Sequence, residues 1–187
     1  YKRQGLAGLR AMRNYDPVHH VIAVGEHAYY GSSADDTVRC LEIATGDVLW
    51  RYTTDGPIRV APHWWDGKLY FGSDDGHAYC LDALTGELLW RVAPVEAERF
   101  FLNDGRLIPF HPVRTGVAVR DGIAYFGAAM FPWKGADLCA VDAESGEAVR
   151  DGTYLRAVGT GRTLEGALLV SGESVIVPQG LSLIHIS

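Results

Sequence analysis

Apolar and polar residues alternate along this chain in short runs, and Asp-Gly and Thr-Gly pairs cut the runs apart. Such runs, rich in Tyr, Phe, Val and Leu, predict half-buried strands, not helices. Val18–Val24, Ala28–Gly31, Val38–Ile43 and Val48–Tyr52 read as four strands. Ile58–Trp65, Leu69–Gly72, Ala78–Asp82 and Leu88–Val92 read as four more. Val113–Val119, Ile123–Gly127, Leu138–Asp142 and Ala148–Arg150 make a third set. Ala167–Val170 and Ser174–Val177 begin a fourth. Helical periodicity is nearly absent, and Ala93–Arg99, with Glu96 and Glu98, offers one short turn at most.

The sets repeat one another. Tyr70 to Trp90 restates Tyr30 to Trp50, and Tyr125 to Arg150 is a third copy. Gly46 and Gly86 are 40 residues apart, Gly31 and Gly72 are 41 apart, and Gly72 and Gly127 are 55 apart because the third copy carries insertions. A period of this length means a propeller, a solenoid or an array. The turn glycines supply the positive φ that tight turns demand.

The segment Asp66 to Trp90 reads Asp-Gly-x-x-Tyr-Phe-Gly-Ser-x-Asp-Gly-x-x-Tyr-x-Leu-Asp-Ala-x-Thr-Gly-Glu-Leu-x-Trp. It resembles a pyrroloquinoline quinone (PQQ)-like β-propeller repeat. The resemblance covers roughly residues 17–150, with a weaker fourth start near 162–178. It implies an all-β fold: a partial propeller of four-stranded PQQ-like blades, three complete and a fourth partial. The family includes quinoprotein alcohol and sugar dehydrogenases and an outer-membrane barrel-assembly lipoprotein that binds no quinone. The repeat therefore speaks for fold and only weakly for activity. It also implies that Trp50 and Trp90, each four residues after a turn glycine, pack between neighbouring blades. Arg150 replaces tryptophan at that place in the third copy, so an altered blade junction is expected there.

Residues 1–16 read as the end of a preceding blade or a connector, residues 17–180 as the propeller fragment. Residues 181–187 resemble the translation of a sequencing-library adapter and are set apart as non-native, the alternative being an edge strand of blade four. Tyr1 is not a start methionine, and a closed propeller protects its blade edges by radial repetition. Further blades are therefore expected on both sides.

Composition is that of an ordinary globular domain. The formal net charge of −6 argues against a general nucleic-acid binder, which carries a basic face. No apolar run approaches the ~18 residues of a membrane span. Cys40 and Cys80 both lie six residues before a turn glycine, whereas Cys139 lies seven before Gly146. A one-residue shift in a strand reverses the face, so Ala140 is the counterpart of Cys40 and Cys80, and all are read as small packing residues without disulfides. No pair of adjacent cysteines occurs, although the alcohol-dehydrogenase branch carries one. No Cys/His cluster has zinc spacing. Asp35-Asp36 and Asp74-Asp75-Gly76 read as turn residues before calcium ligands.

One pattern points to a site. His19, Arg59 and Arg114 stand eight residues before His27, Gly67 and Gly122, and two after Pro17, Pro57 and Pro112. A basic side chain thus recurs at the start of successive inner strands. Both insertions, Ala93–His111 and Ala128–Gly135, fall in loops on that same face. They bring Phe100, Phe101, Arg106, Phe131, Trp133 and Lys134 beside the mouth. Long loops on a rigid scaffold are where function concentrates, and convergent cations favour an anionic ligand or an acidic partner peptide. The alternative is that Arg59 and Arg114 pair with acidic residues of neighbouring blades and that the phenylalanines pack the loop down.

Two function classes follow. The first is a non-catalytic binding or scaffold module of the cell envelope. The second is a fragment of a PQQ- and calcium-dependent quinoprotein dehydrogenase, whose Glu/Asn/Asp set around the metal is not assignable in this sequence. A propeller fused to a separate catalytic domain is a third. An extracytoplasmic location rests on the resemblance.

Overall fold

Short alternating runs joined by two-residue turns fold as antiparallel meanders. Ile22–Val24 (β1), His27–Gly31 (β2), Thr37–Glu42 (β3) and Val48–Thr53 (β4) form one four-stranded sheet in sequence order. His63–Trp65 (β5), Lys68–Gly72 (β6), Ala78–Asp82 (β7) and Leu88–Val92 (β8) form the second. Phe100–Asn103 (β9) and Arg106–Pro109 (β10) pair as a separate hairpin. Ala118–Arg120 (β11), Ile123–Ala128 (β12), Asp137–Asp142 (β13) and Ala148–Arg156 (β14) make the third sheet. Leu169–Ser171 (β15), Ser174–Gln179 (β16) and Ser182–Ile186 (β17) make a three-stranded fourth. The computed structural model describes residues 20–94, 99–103, 106–131, 133, 135–156, 163–172, 174–179 and 182–186. The segment 1–16, His19 and Lys134 lie outside the described residues.

The chain is a piece of a β-propeller. Its inner strands β1, β5, β11 and β15 neighbour one another in that order. The ladders pair Tyr29 with Cys40, Tyr70 with Cys80 and Tyr125 with Ala140. Cys139 instead pairs with Phe126 and joins the cluster that receives Trp90 from blade two. The three cysteines are free and buried.

The inner strands are shorter than the alternation predicts. Ile58–Trp65 contracts to β5 and Val113–Val119 to the short β11, and in blade one the described residues His20 and Val21 precede β1. The residues ahead of β5 and β11 bond instead to second-to-third-strand loops, those of the blade before and, for Pro57, that of its own blade. Ile58 N donates to Ser32 O (3.4 Å), Asp74 N to Pro57 O (2.9 Å) and Val113 N to Ser73 O (3.1 Å). An extended, apolar lead-in has the same pattern as a strand, and only its bonding partners differ. These lead-ins explain the glycine at the end of β2 and β6 and one residue before the end of β12. A Cβ on Gly31 would meet Ile58 Cγ2 at 2.4 Å, one on Gly72 would meet Val113 Cγ1 at 2.5 Å, and one on Gly127 would meet Leu164 Cδ1 at 2.8 Å. Close approach, not positive φ, fixes glycine there.

The blades are joined by indoles. Trp50 Nε1 donates to Ala83 O (3.1 Å), in the turn of the next blade. Trp90 Nε1 donates to Ala143 O (3.0 Å) in the same way. The third and fourth strands slip register in all three blades, after Cys40, Cys80 and Cys139; where Arg150 replaces tryptophan a second slip is added between Leu138 and Cys139, and Arg150 itself adopts φ +50°.

Candidate functional site

The lead-ins carry Arg59 and Arg114 to one place. Between them lies Asp74, at the tip of the β6–β7 loop, almost wholly buried. Arg59 Nε donates to Asp74 Oδ2 at 2.8 Å, and its terminal nitrogen Nη2 stands 2.7 Å from the same oxygen. Arg114 grips the carboxylate with both edges of its fork, Nε to Oδ1 at 3.1 Å and Nη2 to Oδ2 at 3.0 Å. Bidentate guanidinium–carboxylate pairs are among the stronger charge-assisted bonds. Two cations meet one anion, so one formal positive charge stays uncompensated in the cluster. Arg114 is mostly buried, and Arg59 keeps 39% of its side-chain surface exposed. Among the described residues, Nη1 of neither arginine has a partner.

The ladder register refines the repeat of cations. Val24, Trp65, Arg120 and Ser171 end their inner strands opposite His27, Lys68, Ile123 and Ser174. Six residues before each stand Val18, Arg59, Arg114 and Glu165. The arginine therefore recurs in two blades. His19 is offset by one because its count ran to His27, the first residue of β2, whereas the counts for Arg59 and Arg114 ran to Gly67 and Gly122, the residues just before β6 and β12.

Beside Asp74, Asp75 organises a second network. Its Oδ2 accepts from Tyr79 Oη (2.6 Å) and Asp55 N (3.2 Å), and its Oδ1 from His77 N (3.0 Å). Burial works to raise the Asp75 carboxyl, and the bonds from His77 and Tyr79 outweigh it, so the group lies below its ordinary value. A depressed carboxyl contributes stability that is fully present above the unfolded value, ~4, and is lost as pH falls through the folded one. Urea midpoints measured from pH 6 to pH 2 are expected to drop steeply below about pH 4. Asp75→Asn flattens that slope; an unchanged slope counts against the network.

The insertion between blades two and three is the β9–β10 hairpin, where the sequence suggested only loop. Residues 95–98 of the suggested helical turn lie outside the described residues. The hairpin reaches across three blades. Arg106 pairs with Asp36 and donates to Ala34 O (3.1 Å), both in the β2–β3 loop of blade one. Pro109 Cγ lies 3.0 Å from where a Cβ on Gly76 would stand, in the β6–β7 loop of blade two. Phe101 meets Phe131 of the β12–β13 loop, ring centroids 4.9 Å apart. Phe110, which the pattern did not single out, completes the cluster at 5.6 Å from Phe101 and 5.1 Å from Phe131. Trp133 stands 5.0 Å from Phe131. Cross-strand pairing puts Phe101 and Ile108 on one hairpin face, and Leu102 and Leu107 on the other. That other face is bare: Leu102 and Leu107 are 72% and 70% exposed, with Phe100 and Trp133 also open to solvent. Arg99, at the foot of the hairpin, is exposed too.

Of the sequence-derived site residues, Arg59 and Arg114 come together on Asp74. Phe101, Phe131 and Trp133 come together in the aromatic cluster, and Phe100 lies apart from that cluster, exposed at the start of β9. Asp74 was legible only as a turn residue, since nothing in local spacing tells a turn aspartate from one gripped by two blades. The described residues do not fit a calcium and quinone site. Among the described residues no three of His, Cys, Asp and Glu cluster to hold a metal ion, and Asp74 is already engaged by two arginines.

Residues 9–181 match the family described as the outer membrane protein assembly factor BamB. No curated protein matches the chain. Among solved structures, the quinohemoprotein alcohol dehydrogenase from Comamonas testosteroni is similar at 17% identity and a TM-score of 0.66, over 85% of this chain and 28% of that one. The computationally designed Ika4 protein is similar at 17% identity and 0.63, over 89% of this chain and 88% of that one. BamB from Moraxella catarrhalis is similar at 15% identity and 0.50, over 88% of this chain and 70% of that one. At these identities the likeness is one of fold. The chain spans 28% of the length of the dehydrogenase.

Proposed function

This chain belongs to the PQQ-repeat family of the outer membrane protein assembly factor BamB, and from that premise we propose that it is a non-catalytic binding module of the cell envelope. Its partner is another protein, which docks on the β9–β10 hairpin. One observation carries this reading: the hairpin is anchored to the loops of three blades through Arg106, Pro109 and Phe101, yet turns Leu102 and Leu107 to water. Exposed apolar side chains on an anchored element mark interaction surfaces, and anchoring lowers the ordering cost of binding. Exposed Arg99 and the uncompensated charge of the Arg59–Asp74–Arg114 cluster favour an acidic residue in the partner segment. No helix among the described residues is long and apolar enough to cross a membrane.

The test uses the full-length protein. A photo-crosslinking side chain at position 107 is expected to give discrete adducts with an envelope protein. Leu102→Asp with Leu107→Asp is expected to weaken that complex at least tenfold, while the fold tolerates the change because both sites are exposed. Absence of adducts overturns the docking face. A second reading, a PQQ- and calcium-dependent alcohol or sugar dehydrogenase, draws on the dehydrogenase-like fold. Stoichiometric, calcium-dependent PQQ binding in a calorimeter would overturn the non-catalytic reading.

A further inference from the structure

Arg59 and Arg114 spend only part of their donor sets on Asp74. A guanidinium carries five N–H donors in a fixed fork. Each arginine turns its Nε–Nη2 edge to the carboxylate. Arg59 places Nε 2.8 Å and Nη2 2.7 Å from Oδ2, and Arg114 places Nε 3.1 Å from Oδ1 and Nη2 3.0 Å from Oδ2. The second edge, formed by Nη1 and the outer hydrogen of Nη2, is left over in both. Among the described residues nothing accepts from either Nη1. Both Nη2 atoms touch the same oxygen, so both leftover edges open beside Asp74 Oδ2.

Holding Asp74 needs one cation. A second guanidinium brings a charge that must itself leave water, which costs stability unless an anion meets it. Two other acids of this face do not meet it. Asp75 commits its carboxylate to Tyr79 Oη, His77 N and Asp55 N. Glu165, which stands in blade four where the arginines stand in blades two and three, is exposed and forms no ion pair among the described residues. Asp74 also orders the pair before any ligand arrives, since its side chain is buried and fixes both forks. Preorganised donors lower the cost of binding. Arg59, half-buried, keeps the pair open to solvent.

We propose that the paired outer edges of Arg59 and Arg114 form a binding site for a single carboxylate, carried by an acidic side chain of the docking partner or by a free small acid. Two planar forks suit a carboxylate, whose two oxygens accept from both. Once Asp74 is counted, one positive charge remains, which matches one carboxylate and not a dianion. Chloride, with no pair of oxygens, cannot join two forks. The site lies at the foot of the β9–β10 hairpin. Asp74 is in the same loop as Gly76, against which Pro109 packs, and Arg114 follows Pro109 closely in the chain. The partner as source rests on the docking reading above; the site itself does not.

The experiment titrates the full-length protein with acetate at constant ionic strength. It follows the Nε–Hε NMR signals of Arg59 and Arg114, assigned by their loss in Arg59→Lys and Arg114→Lys. A saturable shift of both signals is expected, half-complete in the millimolar range, and chloride at the same ionic strength leaves them in place. Shifts that grow without saturation, or that chloride reproduces, overturn the site. Arg59→Gln, at a partly exposed position, is expected to weaken acetate binding by about tenfold or more, read on the Arg114 signal. Equal affinity in that variant also overturns the site. Photo-crosslinking from position 107 then identifies the source. About tenfold fewer adducts in Arg59→Gln assign the carboxylate to the partner. Unchanged adducts alongside saturable acetate binding assign it to a free acid. Absence of adducts from the unaltered cluster removes the docking reading alone, because the acetate titration does not depend on it.

Discussion

Asp74→Ala is expected to lower the unfolding free energy by about 3 kcal/mol, read as a shift of the urea midpoint at unchanged slope. The carboxylate is almost wholly buried and, among the described residues, is the one acceptor for two guanidiniums. Removing it leaves Arg114, mostly buried, with Nε and Nη2 unpaired beside a second cation. Breaking a buried ion pair from one side costs about 3–5 kcal/mol, and the partial exposure of Arg59 places this case at the low end. The loss also unpins two blades at once, because Arg59 precedes β5 and Arg114 precedes β11. A control separates charge from packing. Replacing all three residues together, Arg59→Met, Asp74→Leu and Arg114→Met, is expected to cost less than Asp74→Ala alone, since no charge is then left stranded. A neutral Asp74→Ala would show that the cluster does not join the blades.

Trp90→Ala is expected to cost more, about 4 kcal/mol. The indole is 7% exposed and belongs to the largest core cluster, which spans blades two and three. It packs on Tyr70 at 5.9 Å between ring centroids, and both side chains donate to the same carbonyl, Ala143 O, at 3.0 and 3.2 Å. Truncation opens a cavity at the junction and leaves the Tyr70 hydrogen bond and the Lys68–Glu144 ion pair (2.8 Å) as links to that turn. Repeat arrays fold cooperatively through interfaces of this kind, so a lower m-value is expected as the blades begin to melt separately. Trp90→Phe keeps most of the packing and is expected to lose about 1 kcal/mol for the hydrogen bond. Equal losses in the two variants would assign the whole effect to the hydrogen bond and none to packing.

The four-strand sets of blades one to three, their turns and the 40-residue period were legible in the chain, because each rests on neighbours in sequence. So was the reversal of Cys139, since side chains in a strand alternate faces and a one-residue offset is visible by counting. The altered third junction was legible as Arg150 in a tryptophan's place. The role of Trp50 and Trp90 came from resemblance, and the geometry of their seats came from the fold.

Tertiary structure decided what the polar residues do. Arg59, Asp74 and Arg114 are 15 and 40 residues apart and come from two blades. Their spacing announced converging cations, but the anion that meets them looked like an ordinary turn aspartate. Local pattern likewise cannot separate a strand from an extended lead-in, because the difference lies in which distant backbone accepts the bond. The hairpin was hidden for the same reason: Phe100 to Pro109 is too short a run to reveal its pairing, and its bare outer face exists only once Phe101 and Ile108 have turned inward. What the sequence determined was everything set by period and alternation. What the fold alone decided was which charges are neutralised and which apolar side chains stay in water, because each depends on residues brought together by blade packing and not by chain spacing.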